Sequence, residues 1–215
     1  NGTGKSTLSK VIMVDPNYKY LSGEIYFDDK KLNDLTVDER ARLGIFLGMQ
    51  MPLEIEGVTN ADFMRTAIHI KEQNDFKLMK FIREMNSTCK KLKMDEEMIH
   101  RSINKGFSGG ERKKNEILQM YLLKPSMIML DEIDSGLDVD SLKIVGENVM
   151  DYYKENETGI LLITHYQRLL DYIKPDFVHI MMDGKIIKSG DCSLVKEIEE
   201  KGYTKIKSEI LGENS

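Results

Sequence analysis

The chain is 215 residues long, 40% of them hydrophobic, and its 31 basic and 36 acidic side chains give a formal charge of −5. That length supports one sizeable core with an inserted subdomain but not a string of modules, and the apolar content excludes bulk disorder. The mixed, mildly acidic charge offers no broad basic field, which argues against nucleic acid as a partner. No apolar run approaches the roughly 20 residues of a bilayer span, so direct membrane insertion is not expected.

The chain opens with Asn1-Gly2-Thr3-Gly4-Lys5-Ser6-Thr7, the back half of the phosphate-binding loop G-x-x-x-x-G-K-[ST]. Glycines let successive backbone N–H groups curl around a phosphate without a Cβ in the way. Lys5 would bring a point charge to the β- and γ-phosphates, and the Ser6 hydroxyl would ligate Mg²⁺. The helix beginning near Ser6 would aim its positive end at the same anion. The opening Gly and the strand before it precede the sequence, and by itself the fragment also suits a Gly turn capping a helix.

Gly23–Phe27 alternates and ends at Asp28-Asp29, which predicts a strand and a turn. A short helix is expected over Val37–Leu43 and an apolar strand over Gly44–Met49. From Met51 to Lys124 strand signals vanish, and Asp62–Glu72, Lys77–Lys91 and Glu96–Asn104 carry helical spacing. Residues 51–124 therefore read as a helical subdomain set into an α/β core of residues 1–50 and 125–215. Strands return at Ser126–Leu130 and Thr158–Ile163, and Phe177–Asp183 with Lys185–Ser189 flanks an Asp-Gly hairpin turn. Helices over Val139–Lys154 and Tyr166–Ile173 alternate with these strands, so the fold class is α/β with a mostly parallel sheet. The tail, Leu194–Leu211, reads as a polar helix. Cys89 and Cys192 make no disulfide framework and suit a reducing compartment.

Met127-Ile128-Met129-Leu130-Asp131-Glu132 is an apolar strand ending in two carboxylates. At the C-terminal edge of a parallel sheet, Asp131 would hold Mg²⁺ and Glu132 would polarise an attacking water; a solvated acidic turn fits the same residues. Ser108-Gly109-Gly110-Glu111 forms a capping box for the helix through Leu122. Its free N-terminus and glycines would equally suit the γ-phosphate of a nucleotide held by another molecule, and both readings hold together. Ser135-Gly136-Leu137-Asp138 follows within a short turn, His165 ends a strand as a γ-phosphate sensor or a structural histidine would, and Gln50 closes the Gly44–Met49 strand.

Lys5, Gln50, Ser108, Asp131, Asp138 and His165 stand in the order found in the ATP-binding-cassette (ABC) ATPases, which the chain resembles over its whole length. That resemblance implies ATP hydrolysis in a head-to-tail homodimer, with ATP held by Asn1, Gly2, Thr3, Gly4, Lys5, Ser6 and Thr7. Ser6, Gln50 and Asp131 would organise Mg²⁺, Glu132 would be the general base, and His165 would steady the γ-phosphate. Ser108, Gly109 and Gly110 would close the other subunit's site, with Asp138 at the seam. An adenine-stacking aromatic would lie upstream of Asn1.

Glu111, Ile133 and Tyr166 depart from the transporter pattern of Gln, Pro and Asp. With Met49–Phe63 and Ile163–Leu170 they resemble the Suf branch of iron–sulfur cluster assembly. That implies SufB- and SufD-like scaffold proteins as partners and a cytoplasmic location, or a plastid one in a plastid-bearing eukaryote. Two cysteines fall short of the roughly four thiolates a cluster needs, so the cluster would belong to the partner. The rival readings are an ABC transporter subunit and a nucleotide-binding interaction module with little turnover. From the run Arg112-Lys113-Lys114, one lysine is expected to pair with Glu132 or Asp134. The apolar residues Met51, Leu53, Ile55, Val58 and Phe63 would form either a docking surface or the subdomain's own core.

Overall fold

The computed structural model describes residues 3–72, 75–164 and 167–198. The chain runs α1 (Lys5–Ile12), β1 (Tyr26–Phe27), β2 (Lys30–Lys31), α2 (Val37–Arg42), β3 (Ile45–Gly48), β4 (Ile55–Thr59), α3 (Asn60–Glu72) and α4 (Leu78–Lys91). A 3₁₀ turn at Glu96–His100 leads to β5 (Ser102–Ile103), α5 (Gly109–Leu123), β6 (Met127–Asp131), α6 (Val139–Glu155) and β7 (Gly159–Ile163). A second 3₁₀ turn at Gln167–Asp171 precedes β8 (Val178–Met182) and β9 (Lys185–Gly190).

The central sheet is parallel, in the order β3–β6–β7. Its middle strand is apolar on both faces, as a strand covered on two sides must be. Side chains alternate across a strand, so Ile128 and Leu130 enter the large core built with α5 and α6. Met127 and Met129 enter the smaller core with Ile12, Leu32 and Ile45. Asp131 continues the second set and is therefore delivered toward α1. Ile128, Met129 and Leu130 are fully buried, each contributing about 1.5–3 kcal/mol by leaving water.

Arg40 fixes the far end of α1. Its buried guanidinium donates to the carbonyls of Ile12 (2.6 Å) and Leu35 (3.1 Å), and to that of Leu32. A cation at a helix C-terminus satisfies carbonyls that have no partner within the helix. Asp28 and Asp29 both take positive φ (45° and 61°) in the two-residue turn between β1 and β2, and Asp183 and Gly184 do the same (48° and 74°) between β8 and β9. Positive φ at both central positions matches the right-handed strand twist.

Three sequence expectations need correction. The segment 51–124 is not wholly helical: β4 pairs antiparallel with β5. The signal is weak because β4 is mostly exposed and broken by Gly57 at φ 80°, while β5 has two residues. The stretch 96–104 is a 3₁₀ turn and then strand, because Asp95 caps a tight turn and Arg101 goes extended. The stretch from Gln167 is likewise 3₁₀ rather than α-helix. Of the expected tail helix, residues 193–198 are helical; the rest lies outside the described residues. Among the described residues, no helix is long and apolar enough to cross a membrane.

Candidate active site

Gly4 opens α1 in a left-handed conformation, φ 93°, which a β-carbon would strain. Thr3 precedes it: its carbonyl accepts from the Gly184 N–H at 3.1 Å and its hydroxyl oxygen from Lys5 Nζ at 3.0 Å. One position on, Ser6 donates its hydroxyl to Asp131 Oδ1 at 2.8 Å. Ser9, one helical turn further on the same face, reaches Asp131 Oδ2 at 3.5 Å. Thr7 is exposed. The expected loop residues Asn1 and Gly2, and the expected sensor His165, lie outside the described residues.

Asp131 is 2% exposed. Burial pushes its carboxyl above the usual aspartate range, against the Ser6 hydrogen bond that pulls it down, with the Glu132 charge adding to the rise. The chain turns sharply after it. Glu132 sits at φ 49°, a left-handed conformation costing a non-glycine residue about 1–3 kcal/mol. Its carboxylate accepts from Gln50 Nε2 at 2.5 Å, and its N–H donates to the Ile163 carbonyl at 2.8 Å. The ends of β3 and β6 and the start of α1 thus converge Gln50, Lys5, Ser6, Asp131 and Glu132.

Among the described residues, no group of three or more His, Cys, Asp or Glu could hold a metal ion. What is present is a buried carboxylate touching a hydroxyl, two hard oxygen donors. Such a set fits Mg²⁺, which keeps several waters and takes its other ligands from phosphate oxygens.

A second cluster forms around α5. Ser108 Oγ accepts from the Glu111 N–H (3.3 Å) and the Glu111 carboxylate accepts from the Ser108 N–H (2.7 Å), completing the expected capping box. A Cβ on Gly109 would come within 3.3 Å of the Gly136 carbonyl oxygen, and one on Gly110 within 2.8 Å of Ser141 Oγ. The glycines therefore let this turn lie against the start of α6. There Asp138 accepts from the Ser141 N–H (2.8 Å) and hydroxyl (3.0 Å). Those two bonds hold its carboxyl below the usual range.

The expected lysine pairing is corrected. Lys113 pairs with Glu116 on the same helix at 3.0 Å, both side chains under 10% exposed. The i,i+3 spacing of Lys113 and Glu116 is the local signal for this pair, less conspicuous than the two carboxylates after β6. Ser9 was also missed, although it repeats Ser6 at helical spacing. Of the apolar set after Gln50, Met51 (80%), Leu53 (68%), Ile55 and Val58 are exposed, whereas Phe63 packs on the large core.

A glycine turn opening α1, a buried strand-end aspartate and a glutamate on a strained corner of a parallel sheet match the layout of a phosphate-loop nucleotide-hydrolase fold. Comparison with known proteins resolves the class. A family model described as "ABC transporter" matches residues 1–135, and the chain belongs to that family, whose ATPase domains hydrolyse ATP. It is 53% identical over 98% of its length, and 81% of the relative's, to Vegetative protein 296 of Bacillus subtilis. A probable ABC transporter ATP-binding protein of Streptococcus pyogenes is 51% identical over 98% of this chain and 82% of its own. A probable ATP-dependent transporter of Cyanophora paradoxa is 49% identical over 94% and 80%. A solved dimer titled as a bacterial ABC transporter cassette matches with a TM-score of 0.76 at 20% identity, covering 89% of this chain and 82% of its own, a likeness of fold.

These names overturn the Suf-branch expectation, SufC with its SufB- and SufD-like partners: none of the three relatives carries the name of an iron–sulfur assembly ATPase. Two of the departures that suggested that branch have local explanations. Glu111 completes the Ser108 cap and Ile133 fills the core at 2% exposure. Tyr166 lies outside the described residues.

Proposed function

We propose that this chain is the ATP-hydrolysing subunit of an ABC transporter, working as a head-to-tail pair of copies. The observation that carries the reading is the Ser6–Asp131 contact of 2.8 Å beside the Gln50–Glu132 contact of 2.5 Å, a hydroxyl and buried carboxylate suited to Mg²⁺ next to a candidate base at one sheet edge. The names of the relatives and the dimeric cassettes among the similar structures support the rest. In this reading residues 1–50 and 125–215 hold the nucleotide, and 51–124 form a largely helical subdomain, with the β4–β5 pair, that offers Met51, Leu53, Ile55 and Val58 to a membrane subunit.

Thr3, Gly4, Lys5 and Ser6 bind the phosphates, as Asn1, Gly2 and Thr7 do on their position in the motif. Ser6 and Asp131, with Gln50 through water, hold Mg²⁺; when bound, the ion neutralises charge developing on the phosphate oxygens. Glu132, positioned by the Gln50 amide, takes the proton from the attacking water. His165 steadies the γ-phosphate. Ser108, Gly109 and Gly110 present the N-terminus of α5 to the nucleotide of the second copy, with Asp138 behind them. Moving a pair of copies from mostly apart to mostly closed takes about 5.5 kcal/mol of differential binding, within reach of a few charge-assisted hydrogen bonds.

The test measures phosphate release by the full-length protein with and without Mg²⁺, and captures partners from detergent-solubilised membranes. Mg²⁺-dependent turnover and a membrane protein in the capture are expected. Nucleotide binding without turnover, or turnover with no membrane partner, overturns the reading.

A further inference from the structure

The residues that follow β3 are strapped to one helix at several points. Glu116 Oε1 accepts from the Met49 N–H at 2.7 Å, and Lys113 Nζ donates to the Met49 carbonyl. The two side chains also bond each other at 3.0 Å. A buried ion pair on α5 therefore grips both backbone groups of the residue before Gln50. Burial pushes the Glu116 carboxyl up, with Lys113 opposing the rise. Four residues on, Asn104 donates to the Leu53 carbonyl at 2.8 Å and accepts from Asn115 of α5 at 2.9 Å. Arg112 of α5 pairs with Glu54 at 2.5 Å. Gln50 lies between these anchors, its amide on Glu132.

We infer that the Lys113–Glu116 pair is a positioning clamp that ties Gln50, and through it Glu132, to the helix carrying Ser108, Gly109 and Gly110. A buried ion pair is weak as a source of stability, because desolvation offsets most of its attraction. Its consequence here is geometric: α5 cannot shift along β3 without carrying Met49, and Gln50 with it. A ligand engaging the N-terminus of α5 thereby acts on the carboxylate at the other end of the strap. Lys113 and Glu116 touch neither nucleotide nor water in this scheme; they act through Met49.

The inference rests on the proposed hydrolytic reading, and its test separates the two. Wild type, Lys113→Met/Glu116→Leu and the isosteric Glu116→Gln are compared by ATP turnover, thermal melting and amide exchange of residues 45–51. The double variant removes both charges together, so neither is left buried alone. We expect its kcat to fall about 10²-fold, the scale of a misplaced catalytic group, with little change in KM. Exchange over residues 45–51 should accelerate without nucleotide, and Glu116→Gln should fall between the two. Wild-type kcat and wild-type exchange in both variants overturn the clamp, as does a loss confined to KM. Should the double variant melt early, Glu116→Gln decides on the same readouts. Should wild type not hydrolyse ATP, the functional reading falls while the exchange rates still decide the clamp.

Discussion

The two clusters of functional residues are built on opposite terms. At the sheet edge, Asp131 is buried with its carboxyl displaced upward, and Glu132 holds a backbone conformation that disfavours it. Around Ser108 every bond of the capping box is made and Asp138 is satisfied twice by Ser141. The first region stores unfavourable energy that a cation and a phosphate would relieve. The second is complete before any ligand arrives, so it offers a rigid helix end and little else. In the proposed reading, chemistry belongs with the strained region and recognition with the satisfied one.

The sharpest way to break that contrast is Glu132→Gln. Hydrolysis should slow about 10²–10⁴-fold, the scale of a lost general base, with nucleotide binding retained; near-normal single-turnover rates would remove Glu132 from its role. Next is Asp131→Asn. The Asp131 carboxyl titrates above its ordinary 3.8 in the folded chain, so the stability it contributes is full below that ordinary value. It is lost as pH rises through the folded value, leaving the ionised carboxylate a net cost at neutral pH. The amide should raise the melting temperature of the nucleotide-free chain and abolish the Mg²⁺-dependence of nucleotide affinity. A lowered melting temperature would mean that the edge is not strained.

The satisfied region is tested by Ser108→Ala and Ser108→Asp. Alanine loses the cap, at about 1 kcal/mol, in chemical denaturation. Aspartate is a good cap but brings a negative charge where a phosphate is expected. It should therefore keep the melting temperature and lose ATP-driven pairing in sedimentation; unimpaired pairing would sever this turn from the second copy's nucleotide. The smallest effect concerns the thiols. Burial, with the Glu96 charge adding to it, pushes Cys89 up to about 11, whereas Cys192 is exposed. A maleimide at about pH 8 should label Cys192 alone, because the thiolate is the nucleophile, and leave turnover unchanged.

How much of this was legible in the sequence follows the range of the interactions. β6 could be read because four apolar residues end at two carboxylates, and the α5 cap because Ser108 and Glu111 stand three apart. The hairpin turn Asp183-Gly184 and helix α6 announce themselves locally in the same way. Pairing between β4 and β5 could not be read: about forty residues separate strands that are short and, at Gly57, bent. The Gln50–Glu132 contact joins residues 82 positions apart, and only the sheet brings them together. Lys113 is the exception: its partner Glu116 stands one turn along the same helix, a local signal outweighed by the more conspicuous acidic pair after β6.

One feature of the sheet bears on how such a chain can change over time. Gly48 lies beside Leu130, Leu130 beside Leu162, and Asp131 beside Ile163. Gln50, Glu132 and Thr164 each stand one or two steps past the last rung of this ladder. The three strands act as rulers sharing a zero mark, and adding or deleting one residue in any of them would turn a whole row of side chains over. Substitutions can accumulate there while lengths cannot, so gain or loss of residues should be confined to stretches such as the connection between α3 and α4.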